Sequence, residues 1–401
     1  MDSETHNKVS HARRTQSLAN ALLVIGILLI AANLRAPFTG VPPLLGMIRA
    51  DLGLGATAAS VLTTLPLLAF ALISPFGSLF AREYGLERAL FGALIAIAAG
   101  ILMRSSGAVW MLYLGTGLIG AGIAVGNVLL PSLVKRDFPD NIAAMTGAYA
   151  ISMGIAAALF SAAAVPLAHT WGWLGTLAAF IVLPLIAIAV WVFQLGSRSK
   201  PTTDTATPPH GGRIWHSALA WQVTFFLGLN STIYYIAIGY LPAILVDAGL
   251  TPERAGSLHG ILQLATAIPG LLMAPILRRL QDQRIPAAAV ALMSTIALVG
   301  ILLAPQWALV WSILFGLGTG AGIILGLSFI GLRSGNAVLA GALSGMSQCI
   351  GYLLAAAGPP LIAVMHESLG GWQWPLCTCI GLSLLAAMVG VLVGRDRQIG
   401  A

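Results

Sequence analysis

Residues 50–62 read ADLGLGATAASVL and residues 246–258 read VDAGLTPERAGSL. Set against each other at an offset of 196, the two stretches share Asp51 with Asp247, Gly53 with Gly249, Leu54 with Leu250, Ala59 with Ala255 and Leu62 with Leu258. The match continues outward at nearly the same spacing. GAGIAVG at 120–126 returns as GAGIILG at 320–326, and Trp171-Gly-Trp173 is echoed by Trp372-Gln-Trp374. A chain of 401 residues that repeats at about half its length reads as two copies of one unit.

Hydropathy says what the unit is. Hydrophobic residues make up 58% of the chain and charged residues 8%, with a mean hydropathy of +0.91; an ordinary soluble domain is about one quarter charged. Apolar runs fall near 18–47, 56–80, 89–103, 108–134, 142–167 and 174–194, then near 216–245, 252–277, 286–304, 307–332, 338–365 and 373–394. A membrane-crossing helix needs about 20 apolar residues, so the pattern predicts six crossings, a break and six more. An even number of crossings returns the chain to the side it left, which gives both copies the same orientation.

The expected fold is therefore all-α and polytopic, twelve transmembrane helices in two six-helix pseudo-repeats. Its divisions are a tail at 1–17, a first half at 18–195, a linker at 196–215, a second half at 216–394 and a tail at 395–401. The stretch GSRSKPTTDTATPPHGGR at 196–213 has the Pro, Thr and Gly content of a linker. The first apolar run continues past any plausible cleavage point and reads as a retained helix.

Charge gives the orientation. If the amino terminus is cytoplasmic, sixteen Lys and Arg residues fall on that side and only Arg49, Arg104 and Arg254 on the other, which places both termini and the linker in the cytoplasm. The net charge of +7 is thus a topology signal, and no nucleic-acid partner is expected. The lipid bilayer is the expected surrounding, and a monomer the expected state. Cys349, Cys377 and Cys379 lie in apolar runs and read as packing residues. With no metal cluster, paired carboxylates or nucleophile with its base in the pattern, neither an enzyme nor a cofactor is expected.

Two six-helix halves repeated in parallel are the arrangement of major facilitator transporters, and the chain resembles that superfamily over essentially its whole length. Several motifs narrow the likeness: NLRAPFTGVPPLL, LTTLPLLAFALISP, GIAVGNVLLPSLVKRDFP, AWQVTFFLGLNSTIYYIAIGYLPAIL, AGSLHGILQLATAIPGLL and LSGMSQCIGYLLAAAGPPL. These resemble the cyanate and 2-nitroimidazole transporter family of bacteria, and the last three are most similar to its nitroimidazole branch. The resemblance implies alternating access across the bacterial inner membrane, with a small polar or anionic substrate bound between the halves. It implies export for nitroimidazole-type compounds and import for small anions such as cyanate. One motif departs from the superfamily. The loop between the second and third helices, usually Gly-x-Leu-Ala-Asp-Arg-x-Gly-Arg-Lys, is SLFAREYGLER, with Arg82 in place of the Asp and Leu86-Glu87 in place of Arg-Lys. Pairing of Arg82 or Arg88 with Glu83 or Glu87 is one expectation here, and a solvated loop is the other.

The polar residues inside the spans are the candidate site. None of the thirteen acidic residues falls inside an apolar run beyond its edge, where Glu253 stands, yet Arg35 sits near the middle of the first. A charge at that depth costs several kcal/mol on insertion scales and faces protein or water. Arg35 either presents planar donors to substrate or caps carbonyls freed by Pro37, Pro42 and Pro43. Asn33 and Thr39 flank it. Asn230 with Tyr234, His259 with Gln263, and Gln348 with Tyr352 are i,i+4 pairs, each on one helical face, suited to binding a flat polar molecule or to bonding helices together. Asn127 completes the candidate substrate-binding set, in a gate or packing position. His259 is the tentative proton-coupling residue, since its reference pKa lies near neutrality, and protons are the candidate coupling ion. Gly120, Gly122 and Gly126, with Gly320, Gly322 and Gly326, are expected to let helices slide as the halves rock.

Overall fold

The computed structural model describes residues 20–196, 214–273, 280, 282–335 and 337–399; the amino-terminal tail and nearly all of the linker lie outside the described residues. Every regular element described is helical. The first half contains α1 (Asn20–Leu52), α2 (Ala56–Tyr84), α3 (Leu86–Arg104) and α4 (Val109–Asp137), followed by a single apolar stretch, Ala144–Gln194. At about 1.5 Å per residue that stretch would run about 77 Å as one helix, more than twice the hydrocarbon thickness of about 30 Å. It folds back instead. Gly172 has φ 68° and ψ 170°, a conformation that a residue with a Cβ rarely adopts. Across the reversal, the rings of Phe160 and Phe180 come within 4.5 Å. The stretch is thus α5 (142–171) and α6 (173–194). The second half holds α7 (Ala218–Asp247), α8 (Pro252–Met273), α9 (Arg284–Leu303), α10 (Ala308–Leu332), α11 (Ala337–Leu369) and α12 (Gln373–Val393). That makes twelve crossings among the described residues.

The duplicated motifs do the same work twice. Trp173 Nε1 donates to Asp51 at 2.8 Å, tying the start of α6 to the end of α1; Trp372 Nε1 donates to Asp247 at 2.6 Å, tying the start of α12 to the end of α7. The bond uses the second tryptophan of the first motif and the first of the second, so the motifs have slipped by two residues while keeping the contact.

The repeated glycines act inside each half rather than between halves. A Cβ on Gly120 would fall 2.6 Å from Pro66 of α2, and one on Gly122 would fall 2.6 Å from the Ala93 carbonyl of α3. Gly320 lies against Thr266 of α8, and Gly322 against Asn230 of α7. The small faces thus allow the close approach expected of them, and the approach lies within each half, seating α4 on α2 and α3 and α10 on α7 and α8.

The halves meet along two seams, α5 on α8 and α2 on α11. On the side away from the linker, His169 at the end of α5 is 2.9 Å from Glu253 at the start of α8. Along the other seam, Glu367 of α11 accepts from the Ala56 backbone N–H at 2.6 Å and from Thr57 Oγ1 at 3.2 Å. A carboxylate there satisfies orphan donors and complements the dipole at the α2 amino end.

On the linker side, the altered loop settles into a different ion pair from those expected. Glu87 is buried and accepts from Arg136 of α4 at 2.7 Å, and Arg136 also reaches Asp137 at 2.9 Å. Glu83 and Arg88 are exposed, and the Arg82 side chain lies outside the described residues. The Glu87–Arg136 pair joins α3 to α4 within one half. Residues near the carboxyl end also dock on this side: Ile399 N–H donates to the Arg333 carbonyl at 2.9 Å, and Arg333 Nε donates to the Val393 carbonyl at 2.9 Å.

Candidate functional site

The site begins with a helix that the sequence breaks. Proline lacks an amide hydrogen and cannot continue the hydrogen-bond ladder, and α1 has prolines at 37, 42 and 43. It stops at residue 33, forms one turn at Ala36–Thr39, passes through a 3-10 turn at Pro42–Leu44 and resumes at Leu45. Arg35 lies in the gap with φ −127° and ψ −43°.

From the gap its guanidinium crosses to the other half. Arg35 Nη1 donates to Thr266 Oγ1 at 2.9 Å and to Gln263 Oε1 at 3.3 Å, both on α8. Its carbon Cζ lies 5.4 Å from the centroid of the Tyr234 ring on α7, within cation–π range. Among the described residues, no carboxylate pairs with it. The carbonyl-capping role considered for Arg35 falls to another residue: Arg104, at the end of α3, donates from Nη1 to the Pro37 carbonyl at 2.7 Å. Arg104 is itself buried, with Nε and Nη2 lacking hydrogen-bond partners among the described residues. Arg35 is therefore not the only embedded charge.

Gln263 is the hub. Its Oε1 accepts from Arg35 and, at 2.9 Å, from Tyr234 Oη; its Nε2 faces His259 Nε2 at 3.3 Å. His259 Nδ1 is 2.7 Å from Ser161 Oγ on α5, and Ser161 Oγ is 3.0 Å from the Gly256 carbonyl. Ser161, His259 and Gln263 are all fully buried. In this arrangement His259 is engaged at both ring nitrogens as a bridge between the halves.

Aromatic rings also meet between the two halves. Phe38 of α1 meets Tyr235 of α7 at 6.1 Å, and Phe70 of α2 meets Tyr352 of α11 at 5.4 Å. Tyr234 and Tyr235 are 5.1 Å apart, and Tyr352 lies within electrostatic reach of Arg35 and Tyr234. Offset and edge-on contacts such as these are the favoured ring geometries.

The structure thus gathers Arg35, Tyr234, His259, Gln263 and Tyr352 from the candidates and gives others different surroundings. Asn230 Nδ2 donates to the Thr319 carbonyl of α10 at 3.0 Å, the helix-bonding alternative. Thr39 is fully buried and bonds only backbone carbonyls, including Ala157 at 3.3 Å. Asn33 Nδ2 donates to Leu29 at 2.8 Å, with its Oδ1 buried and unpartnered among the described residues. Gln348 Nε2 donates locally to Ser344 at 2.8 Å. Asn127 is half-buried beside Gly126, which packs on Leu34 near the α1 break. Sequence reasoning passed over Thr266, Tyr235 and Ser161. Thr266 stands three residues after Gln263 on the same α8 face, a spacing that would have found it.

An apolar cleft inside the second half, lined by residues including Ile233, Leu262, Phe315, Trp372 and Cys379, lacks a polar anchor and is separate from this cluster. No group of three metal-ligating side chains occurs among the described residues.

Comparison with known proteins fits this geometry. The profile of the Major Facilitator Superfamily matches residues 22–356. The chain is 52% identical over 379 residues to the 2-nitroimidazole transporter of Escherichia coli K12, covering 94% of this chain and 96% of that one. It is 27% identical over 371 residues to the cyanate transport protein CynX of the same organism, covering 90% and 96%. The crystal structure of a D-xylose-proton symporter superposes with a TM-score of 0.74 at 13% identity, covering 94% of this chain and 98% of that one, a likeness of fold.

Proposed function

As the chain belongs to the major facilitator superfamily, we propose that it carries a small, flat, polar or anionic heterocycle of the nitroimidazole or azole type by alternating access, with Arg35 as the group that binds it. The observation that carries this reading is a guanidinium at the broken centre of α1, held by one hydroxyl and one amide oxygen, against the Tyr234 ring and close to the seams. A delocalised planar fork with spare N–H groups suits a nitro group, an azolate nitrogen or a small anion. Tyr234, Tyr235, Tyr352, Phe38 and Phe70 supply ring faces for a flat ligand. The Phe38–Tyr235 and Phe70–Tyr352 contacts each join one half to the other, so rocking of the halves separates rings that a bound heterocycle then contacts.

The linker side is proposed as cytoplasmic, in a bacterial inner membrane, with export as the direction and import of a small anion such as cyanate as the second reading. The second reading draws on the same unpaired guanidinium. Any pH dependence in this scheme comes from the protonation state of an ionisable substrate, because His259 is already occupied at both ring nitrogens. Purified protein in liposomes tests the proposal. Saturable counterflow of labelled 2-nitroimidazole, lost in Arg35→Ala, supports it; cyanate counterflow without nitroimidazole counterflow favours the second reading. Absence of counterflow for both removes it.

A further inference from the structure

The donor and acceptor chemistry of the buried cluster fixes more than positions. Arginine can only donate, so the amide atom of Gln263 facing Arg35 must be Oε1. Nε2 then faces His259, whose Nε2 must accept. That leaves the imidazole proton on Nδ1, where it is donated to Ser161 Oγ, and the Ser161 hydroxyl hydrogen goes to the Gly256 carbonyl. Arg35 and the Tyr234 hydroxyl set the amide at one end of the chain, and the Gly256 carbonyl, which can only accept, sets the Ser161 hydroxyl at the other. The chain passes from Arg35 on α1 to Gln263 and His259 on α8, to Ser161 on α5 and back to Gly256 on α8, so it crosses between the halves three times.

We propose that Arg35, through the amide orientation of Gln263 and the ring of His259, controls where the Ser161 hydroxyl donates, and so the Ser161–Gly256 bond that helps to hold the α5–α8 seam closed on the side away from the linker. Ser161 and His259 are positioning residues for transport: neither touches the Arg35 guanidinium. With Arg35 drawn away, the Gln263 amide faces only the Tyr234 hydroxyl, which can accept as well as donate, so the amide can turn over and His259 Nε2 then faces an acceptor instead of a donor. The imidazole proton is then drawn to Nε2, Ser161 turns its one hydrogen to Nδ1, and its bond to the Gly256 carbonyl across the seam is lost. Beside this bond and the exposed His169–Glu253 contact the seam is close backbone packing, with the Ala158 carbonyl 2.7 Å from where a Cβ on Gly260 would lie. Such a surface resists intermediate positions, so the polar bond weighs on whether it is shut or parted. The functional meaning of this link rests on Arg35 being the substrate-contacting group, but the link itself is measurable without substrate.

The test is a double-mutant cycle on seam opening. Spin labels are placed at Thr170 and Arg254, exposed residues at the far ends of α5 and α8, with the three native cysteines replaced by alanine. Distances between them are recorded by pulsed electron resonance in nanodiscs with no ligand present. Arg35→Met and Ser161→Ala are each expected to raise the ratio of long to short distances about fivefold, the effect of one hydrogen bond. The double variant is expected to rise no further than either single one, because both cut one chain. Gln263→Met gives a second entry to the cycle if Arg35→Met does not purify as a monodisperse protein. Additive shifts, or an Arg35→Met distribution identical to the parent's, overturn the proposal. Coupling found here while 2-nitroimidazole counterflow is absent refutes the substrate assignment and leaves the link standing.

Discussion

Arg35 shares one nitrogen between Thr266 and Gln263 and lies against Tyr234, with no carboxylate beside it among the described residues. The remaining N–H groups are what a substrate engages. Arg35→Lys should therefore fail almost as completely as Arg35→Ala, since a compact ammonium does not reproduce the planar fork. Losing a charge-assisted hydrogen bond of about 1.5–3 kcal/mol weakens affinity roughly 10- to 100-fold, and equilibrium binding to each purified variant measures it. Tyr235 and Asn230, five residues apart on α7, should separate binding from stability. Tyr235→Ala removes a ring from the cage and is expected to weaken ligand binding with little loss of thermal stability. Asn230→Ala removes the bond to Thr319 on α10 and is expected to cost about 1–2 kcal/mol of stability at unchanged affinity. If the two effects are exchanged, the α7 faces have been assigned the wrong way round.

The elements were more legible in the sequence than the contacts between them. The break in α1 follows from Pro37, Pro42 and Pro43, and the reversal between α5 and α6 follows from a polar-flanked Trp-Gly-Trp. A proline or glycine acts on its own backbone, so its effect is local and can be read from one chain. That Arg104 would cap Pro37, or Arg136 pair with Glu87, depends on how α3 meets α1 and α4. No spacing within one helix encodes that. The i,i+4 pairs show the same limit: the pattern places Asn230 and Tyr234 on one side of α7, but only packing decides that Asn230 turns to α10 and Tyr234 to Gln263. Glycine at the moving seam gives a further test. Gly260→Val places a branched side chain against the Ala158 carbonyl and should part α5 from α8. The expected result is slower counterflow in a protein that still purifies and binds lipid normally; undiminished counterflow would mean that the seam tolerates the bulk and does not govern the cycle.

At the scale of the whole molecule, the duplication is visible in sequence, and the structure shows the two Trp–Asp ties it preserves. The site is less symmetric than the fold. Arg35 comes from the first half, whereas Gln263, Thr266, Tyr234 and Tyr235 come from the second, so repeat matching alone finds the halves and misses the cluster. This asymmetry bears on pH. An ionisable azole that binds as its anion binds better as pH rises through its own pKa and the anion accumulates. Its half-saturation concentration should fall across that interval and then level off, in the parent and in His259→Gln alike. A profile altered in His259→Gln would instead place the titrating group on the protein. The central claim, that substrate sits on Arg35 between the halves, is tested most directly by equilibrium binding of labelled 2-nitroimidazole to the parent and to Arg35→Ala, both reconstituted in nanodiscs. The account predicts saturable binding to the parent and at least about a tenfold loss in the variant. Parent-like affinity in a folded Arg35→Ala protein would contradict it.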